Sequence, residues 1–335
     1  MTPLILGLSG TALTDEERGF FREVDPAGFI LFKRNVSDRV QVKALTDELR
    51  TLSGRDDVPI LIDQEGGRVA RMQPPQWSAF PRGSDFDRLY DVAPMSAIEA
   101  IRANAQALAV MLREVGVNVD ALPLLDVRQP GAHDIIGDRA LGTEPLRVAA
   151  LGRATLEGLK AGGAVGVVKH MPGHGRAMSD SHVELPVVEA SAEELETDIA
   201  PFHALNWAPM GMTAHVVYTA WDRDQPGSLS AKVIGEIIRG RIGFDGLLMS
   251  DDLGMHALKG NFTDRAAGVI AAGCDIVLHC SGDIDEMRAC AKGVSGIAPH
   301  ARGRLDAAMA TIAGAADSAS FDDLVAKRDA LLALA

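Results

Sequence analysis

Cysteine is scarce in this chain, and the three that occur, Cys274, Cys280 and Cys290, form no C-x-x-C pair. An odd number of thiols with these spacings argues against a disulfide framework and against a structural zinc site. We therefore expect buried free thiols and a cytoplasmic, reducing compartment. The amino terminus also lacks the basic segment with which a secretory signal begins.

Positive charge is outnumbered as well, with 33 Lys and Arg against 46 Asp and Glu, a formal net charge of −13. No basic block occurs, which argues against a nucleic-acid partner and against an anionic membrane surface. No apolar stretch approaches the roughly 18 residues that a membrane-spanning helix needs. An anionic ligand would have to be met by individual Arg or Lys side chains.

Aromatic residues make up only 4% of the 335 residues, whereas 47% are hydrophobic, so the core must be mainly aliphatic. Short apolar runs alternate with helical segments about eight times, which favours one parallel α/β barrel. We expect a single catalytic (β/α)8 domain over residues 1–335, with extra C-terminal helices. The stretch 68–95 has little periodicity and several prolines, which predicts a long loop.

The most informative stretch is residues 165–182. An apolar run ends in Lys169 and His170, and a loop rich in glycine then leads to Asp180 and His182. Enzymes with a (β/α)8 barrel have their active sites at the C-terminal ends of the barrel strands. A neighbouring Asp raises the basicity of an imidazole and fixes its tautomer, so the pair indicates an acid/base role. A surface histidine on a polar loop is the alternative.

Three further polar residues follow apolar runs: Asp63, His215 and Asp251. Because strand ends converge in a parallel barrel, we expect these groups to meet on one face. Asp251 is followed by Asp252, and successive strand residues face opposite sides, so only one of the two should point into the barrel mouth. That residue would be a carboxylate nucleophile or charge stabiliser; a helix cap or a solvated pair is the alternative.

Arg71 and Arg139 lie in glycine- or proline-marked loops near strand ends. If they point inward, their forked donors and Asp63 would bind several hydroxyl groups, as a sugar requires. Surface arginines are otherwise mostly solvated.

A metal or nucleotide site has weaker support. His170, His174 and His182 match no zinc signature, and Lys169 beside them opposes a cation. The sequence contains no Walker A pattern, no G-x-G-x-x-G after a strand and no G-x-S-x-G elbow. We expect neither a metal nor another cofactor.

Four motifs resemble those of glycoside hydrolase family 3, and within it the bacterial cytoplasmic β-N-acetylglucosaminidases that recycle cell-wall fragments. They are ordered along most of the first 255 residues and together are highly specific. In chain order they are Ile62-Asp-Gln-Glu-Gly-Gly67, Gly137-Asp-Arg139, Lys169-His-Met-Pro-Gly-His-Gly175 with Asp180-Ser-His182, and Ser250-Asp-Asp-Leu253.

The resemblance implies a (β/α)8 barrel and a retaining exo-hydrolase that removes terminal β-linked N-acetylglucosamine from peptidoglycan (muropeptide) fragments. It implies Asp251 as the nucleophile, and His182, paired with Asp180, as the proton donor and acceptor. The residues it implies for holding the sugar are Asp63, Arg71, Arg139, Lys169 and His170.

Two positions depart from the family pattern: Met171 stands where Phe is usual, and Gly254 where Ser is common. Both adjoin the expected site and could tune its pocket. Three alternatives stay open: a phosphorylase that uses phosphate as the acceptor, a metal-dependent barrel hydrolase, and a sugar-binding protein without activity. The sequence leaves the oligomeric state open, and we expect a monomer.

Overall fold

The computed structural model describes residues 1–179, 181, 184–314 and 319–335. Within these residues, eight parallel strands close into a barrel, each strand beside its neighbour in sequence and the last paired with the first. The expected (β/α)8 barrel is confirmed. The strands β1 to β8 are Thr2–Leu6, Pro26–Leu31, Ile60–Ile62, Val119–Asp120, Val165–Met171, Met210–Thr213, Leu247–Asp252 and Ile276–His279.

Helices connect the strands on the outside of the barrel and continue after β8. The π-helix Val233–Arg241 connects β6 to β7. The helices α1 to α10 are Asp15–Val24, Arg39–Ser53, Gly83–Val92, Pro94–Glu114, Pro145–Gly162, Leu195–Ala204, Phe262–Ala272, Ile284–Lys292, Pro299–Ala310 and Phe321–Leu332. None of the helices in the part of the chain described is long and apolar enough to cross a membrane.

Local sequence signals explain several helix boundaries. Thr14 caps α1: its hydroxyl accepts a hydrogen bond from the backbone of Glu17, whose carboxylate accepts one from the backbone of Thr14. This reciprocal pair satisfies two amide groups that the first helical turn leaves without partners. Asp38 and Asn261 cap α2 and α7, and the side chain of each accepts one hydrogen bond from a backbone N–H of the first helical turn.

The prediction of a long loop over residues 68–95 was wrong. Residues 64–66 and 69–70 form a short antiparallel ladder, and α3 then begins at Gly83. Of α3, only Phe86 and Leu89 are buried hydrophobic side chains, which is too few for a visible periodicity. Pro94 occupies the first turn of α4, where a missing N–H costs nothing, so it starts a helix instead of breaking one.

Alternation along the strands separates two apolar layers. Ile5 of β1 and Val167 of β5 belong to the cluster that fills the barrel, whereas Leu4 and Leu6 pack with the surrounding helices. Both layers are mainly aliphatic, as the composition predicted. Because the interior is filled, ligands have access only at the ends of the strands.

Candidate active site

A cavity of about 260 Å³ opens at the C-terminal end of the barrel. Six of the eight site residues that the family resemblance implies line it: Asp63, Arg71, Arg139, Lys169, His170 and Asp251. The other two, Asp180 and His182, lie outside the described residues. Ser181, which stands between them in the chain, lines the same cavity.

An alternating chain of opposite charges forms one wall of this cavity. Arg71 Nη2 donates to Asp63 Oδ2 at 2.9 Å, and Lys169 Nζ lies 3.2 Å from Asp63 Oδ1 and 2.7 Å from Glu65 Oε1. Arg139 completes the chain with two parallel hydrogen bonds, both 2.8 Å long, to the two oxygens of Glu65. Such fork-to-fork pairing fixes the direction as well as the strength of the contact.

The charges of this wall stabilise one another against burial. Burial alone would raise the pKa of Glu65, but Arg139 and then Lys169 outweigh it and hold that pKa well below its ordinary value. Lys169 and then Arg71 do the same for Asp63. Burial would lower the pKa of Lys169, yet Glu65 and Asp63 raise it above the usual range. Asp63, Glu65 and Lys169 are therefore charged at neutral pH.

Arg71 also packs against an aromatic ring. Its guanidinium carbon lies 5.0 Å from the centroid of Phe32, which lines the cavity, and Arg34 lies 5.1 Å from the same centroid. A cation at this distance is attracted by the ring face. Phe32 and Asp63 together fix the direction in which Arg71 presents its donors.

His170 is oriented by the buried carboxylate of Asp126. Its Nδ1 donates to Asp126 Oδ2 at 2.7 Å, and Asp126 Oδ1 accepts from the backbone N–H of His170 and of His174. Burial raises the pKa of Asp126, but His170 and His174 outweigh that effect and bring it to about 2. Asp126 is therefore ionised, and it holds the His170 tautomer that leaves Nε2 for a ligand.

His174 is a second buried imidazole beside the first, with ring centroids 5.7 Å apart. Burial, and then the neighbouring His170, lower the pKa of His174 to about 4, so it is neutral at pH 7. Its Nε2 lies 3.3 Å from the hydroxyl of Ser181. Among the residues with described positions, no three His, Cys, Asp or Glu side chains form a group suited to a metal ion.

Both acids at the end of β7 line the cavity, so the expectation that only one would do so was wrong. The pairing of β7 with β8 shifts register between Met249 and Asp252, and this irregularity breaks the simple alternation of faces. Asp251 Oδ1 accepts from the backbone N–H of Asp252 at 2.8 Å. Asp252 Oδ1 accepts from the N–H groups of Gly254 and Cys280, at 3.0 and 2.9 Å.

His215 does not line the cavity, although the sequence placed it at a strand end. Strand β6 ends at Thr213, two residues before His215, and His215 is fully buried behind the acidic pair. Its Nδ1 lies 2.7 Å from the hydroxyl of Ser228, and its Nε2 lies 3.0 Å from the carbonyl oxygen of Asp252. His215 therefore supports the backbone of the acidic pair and does not face a ligand.

The two departures from the family pattern have different surroundings. Met171 is fully buried in the layer between the barrel and the helices, and its terminal methyl packs against Gly211. It is not among the lining residues of the cavity. Gly254 lies close to the acidic pair: a Cβ there would be 3.0 Å from Asp252 Oδ2, so a larger residue would press on that carboxylate.

Sequence reasoning missed two residues that organise the site. Glu65 lies in the motif Ile62-Asp-Gln-Glu-Gly-Gly67, two positions after Asp63, and that spacing was the available signal. Asp126 follows the apolar pair at 124–125, as the other polar residues follow their strands. Strand β4 is only two residues long, so Asp126 lies beyond it in irregular chain and the strand-end signal was weak.

A cavity of this kind at the C-terminal end of a (β/α)8 barrel defines a barrel enzyme. Comparison with known proteins gives the family. Residues 6–313 match the glycosyl hydrolase family 3 N terminal domain. The chain is 38% identical over 312 residues to a β-hexosaminidase of Aromatoleum aromaticum, covering 91% of this chain and 86% of that one. A β-hexosaminidase of Bordetella avium is 37% identical over 284 residues, with 83% and 80% covered.

Solved structures agree with these relatives. NagZ from Neisseria gonorrhoeae, in complex with N-trifluoroacetyl-D-glucosamine, has a TM-score of 0.86 at 31% identity, with 99% of this chain and 97% of that chain covered. A glycoside hydrolase family 3 β-N-acetylglucosaminidase from Paenibacillus sp. str. FPU-7 has a TM-score of 0.87 at 29% identity, with 98% and 66% covered. This chain belongs to glycosyl hydrolase family 3. The predicted enzyme class, a glycoside hydrolase of the β-N-acetylhexosaminidase type, is confirmed by these relatives.

Proposed function

We propose that this chain is a retaining exo-β-N-acetylglucosaminidase that removes terminal β-linked N-acetylglucosamine from peptidoglycan fragments. One observation carries the proposal: Asp251 and Ser181, the residue before His182, line one cavity with all five predicted sugar-binding side chains. At about 260 Å³ the cavity is below the roughly 300–1,000 Å³ common for ligand sites, which favours one sugar residue at a time. The ligand of the similar NagZ structure, an N-acylated glucosamine, supports the choice of sugar.

The charged wall supports a polyhydroxylated ligand. In this proposal Asp63 and Glu65 accept hydrogen bonds from sugar hydroxyls, while Arg71, Arg139 and Lys169 keep these carboxylates ionised and donate to sugar oxygens. The groups are already held in place by one another, so little ordering remains to be done when the sugar binds. His170 adds a further hydrogen bond through Nε2, because Asp126 occupies its Nδ1.

The first chemical step uses two groups on opposite sides of the glycosidic bond. The Asp251 carboxylate attacks the anomeric carbon, the bond to the leaving oxygen breaks, and His182 gives its proton to that oxygen. Asp180 favours the protonated imidazole before this step. The backbone N–H of Asp252, 2.8 Å from Asp251 Oδ1, helps to aim the attacking carboxylate.

The second step reverses the roles. Neutral His182 takes a proton from water, the water oxygen attacks the anomeric carbon, and the bond to Asp251 breaks. N-Acetylglucosamine leaves with its original β configuration, because two inversions have occurred. An ordinary imidazole pKa of about 6.5 lets one residue act as acid and then as base near neutral pH.

We further propose that the chain acts as one catalytic unit in the cytoplasm. All three cysteines are free and buried, which suits a reducing compartment. Peptidoglycan fragments that re-enter the cell would be its substrates there.

The test is hydrolysis of a chromogenic β-N-acetylglucosaminide by the wild type and by Asp251→Ala. We expect release of the chromophore by the wild type, and none by the variant, which should still bind N-acetylglucosamine. Proton NMR should show the β anomer first. Normal turnover by Asp251→Ala, or the α anomer as first product, would contradict the mechanism. Sugar 1-phosphate formed in phosphate buffer would indicate the phosphorylase instead.

A further inference from the structure

We propose that helix α10 positions the Glu65–Arg139 ion pair of the sugar cavity, acting through Arg328 and the segment 80–83. This inference rests on the proposed function. None of the residues of α10 lines the cavity, so the effect would be one of position and not of contact with sugar.

The first link joins α10 to Phe80. Arg328 is only 5% exposed, and its guanidinium carbon lies 5.5 Å from the centroid of the Phe80 ring. Phe321, about two turns earlier on the helix, meets the same ring edge-on at 6.4 Å. Arg328 Nη1 also donates to Asn104 Oδ1 of α4 at 3.2 Å. Asp329 of the same helix neutralises the buried guanidinium at 2.8 Å, so the contacts with Phe80 and Asn104 are the ones that hold the helix against its surroundings.

The second link joins Phe80 to Glu65. The carbonyl oxygen of Phe80 accepts a 2.9 Å hydrogen bond from the N–H of Gly67. A Cβ on Gly66 would lie 2.2 Å from the carbonyl oxygen of Pro81, so the two backbones are in direct contact. Gly66 and Gly67 immediately follow Glu65. Any shift of the segment 80–83 is therefore passed to the Glu65 backbone, because the contact leaves no gap to absorb it.

The third link joins the same segment to the other half of the ion pair. A Cβ on Gly83 would lie 2.2 Å from the carbonyl oxygen of Arg139. The segment is thus wedged between the backbones that carry Glu65 and Arg139. A second cavity, of about 30 Å³, lies beside the segment 80–83. It is lined by Glu65, by Arg139 and by Asn104, the partner of Arg328. Gly66 and Gly83 line this cavity too, so the segment 80–83 borders free space on that side and can shift when α10 no longer holds Phe80.

The experiment compares Arg328→Leu, Arg328→Lys and Phe321→Leu with the wild type on the chromogenic substrate. Loosening the pair should weaken sugar binding in the ground and transition states alike, which raises KM and leaves kcat nearly unchanged. We expect KM to rise about tenfold in Arg328→Leu, with kcat within about twofold, the size of one weakened charged hydrogen bond. Arg328→Lys keeps the charge and should recover part of the loss.

Lys327→Ala is the matched control. Lys327 is the neighbour of Arg328 on the same helix and forms an exposed ion pair with Glu99 of α4. It makes no contact with Phe80 among the hydrogen bonds, ion pairs and ring contacts of the described residues. Removing it tests a general loosening of α10, and its KM should equal that of the wild type.

Amide hydrogen exchange supplies a readout that does not depend on activity. The peptide that covers residues 64–72 should exchange faster in the Arg328 and Phe321 variants and not in Lys327→Ala. A lower melting temperature with unchanged KM and unchanged exchange would overturn the inference, because the helix would then be structural only. If Arg328→Leu fails to fold, Phe321→Leu decides. A wild type without hydrolytic activity would refute the proposed function, and the exchange data would still decide whether α10 controls this segment.

Discussion

His170 and Asp126 are joined by a 2.7 Å hydrogen bond in which a cavity-facing imidazole donates to a fully buried carboxylate. The same carboxylate holds the backbone N–H of His170 and of His174 through its other oxygen. One ionised group thus fixes the tautomer, the ring orientation and the backbone at this point.

Asp126→Asn should lower kcat/KM by about 10- to 100-fold. The amide removes the charge that favours the Nδ1–H tautomer of His170, and the loss is that of one hydrogen bond to a charged group. Steady-state kinetics on the chromogenic substrate measure it. Asp47→Asn, an exposed carboxylate paired with Lys43, is the control and should be neutral. Wild-type kinetics in Asp126→Asn would mean that His170 needs no partner.

His174 should make the folded protein less stable on acidification. Its pKa of about 4 in the native state lies below the ordinary value of 6.5, so the unfolded chain binds the extra proton first. The free energy of unfolding should therefore fall by about 2 kcal/mol from this group between pH 7 and pH 5. Urea unfolding of the wild type and of His174→Gln at both pH values measures the difference. Equal pH dependence in both proteins would contradict the buried neutral state.

Glu65→Gln should damage both stability and sugar binding. The change leaves Arg139 without its anionic partner and Lys169 with Asp63 alone, and breaking one side of a buried ion pair costs about 3–5 kcal/mol. We expect a lower melting temperature and a KM at least tenfold higher. Glu99→Gln is the matched control, since the pairs of Glu99 with Lys327 and Arg102 are exposed and should contribute less than about 1 kcal/mol. Similar effects of the two changes would argue against a special role for Glu65.

His182→Ala should depend on the leaving group. A substrate whose aglycone is a good leaving group needs little protonation, so its rate should fall less than that of a substrate with a poor one. Rates for a series of aryl β-N-acetylglucosaminides of different phenol pKa measure the trend. Equal losses across the series would count against an acid role.

The barrel could be predicted from the sequence because its signals are local and repeated. Helix α2, for example, is bounded by two residues with strong local preferences, since Asp38 caps its start and Gly54, with φ of +64°, ends it. Helix α6 begins only at Leu195, although Ser191 and Glu194 have the spacing of a capping box. Ser191 and Glu194 do exchange hydrogen bonds, but in a separate turn before the helix.

The site residues were predictable where a polar residue follows an apolar run in the sequence, and not where pairing in three dimensions brings distant residues together. Asp63, Lys169 and Asp251 were found in this way. The partnership of Glu65 with Arg139 joins residues 74 positions apart, and no spacing rule connects them. The register shift beside Asp252 depends on β8, so it could not be read from β7 alone.

The alternating wall from Arg71 through Asp63, Lys169 and Glu65 to Arg139 also limits how this cavity can be redesigned. Each inner member is shared by two neighbours of opposite sign, so replacing one removes a counter-charge from two neighbours at once. Changing the enzyme to accept a different sugar would therefore require coordinated, charge-balanced exchanges. Selection of single substitutions should instead find its improvements among the uncharged lining residues, such as Ile135, Met212 and Cys280.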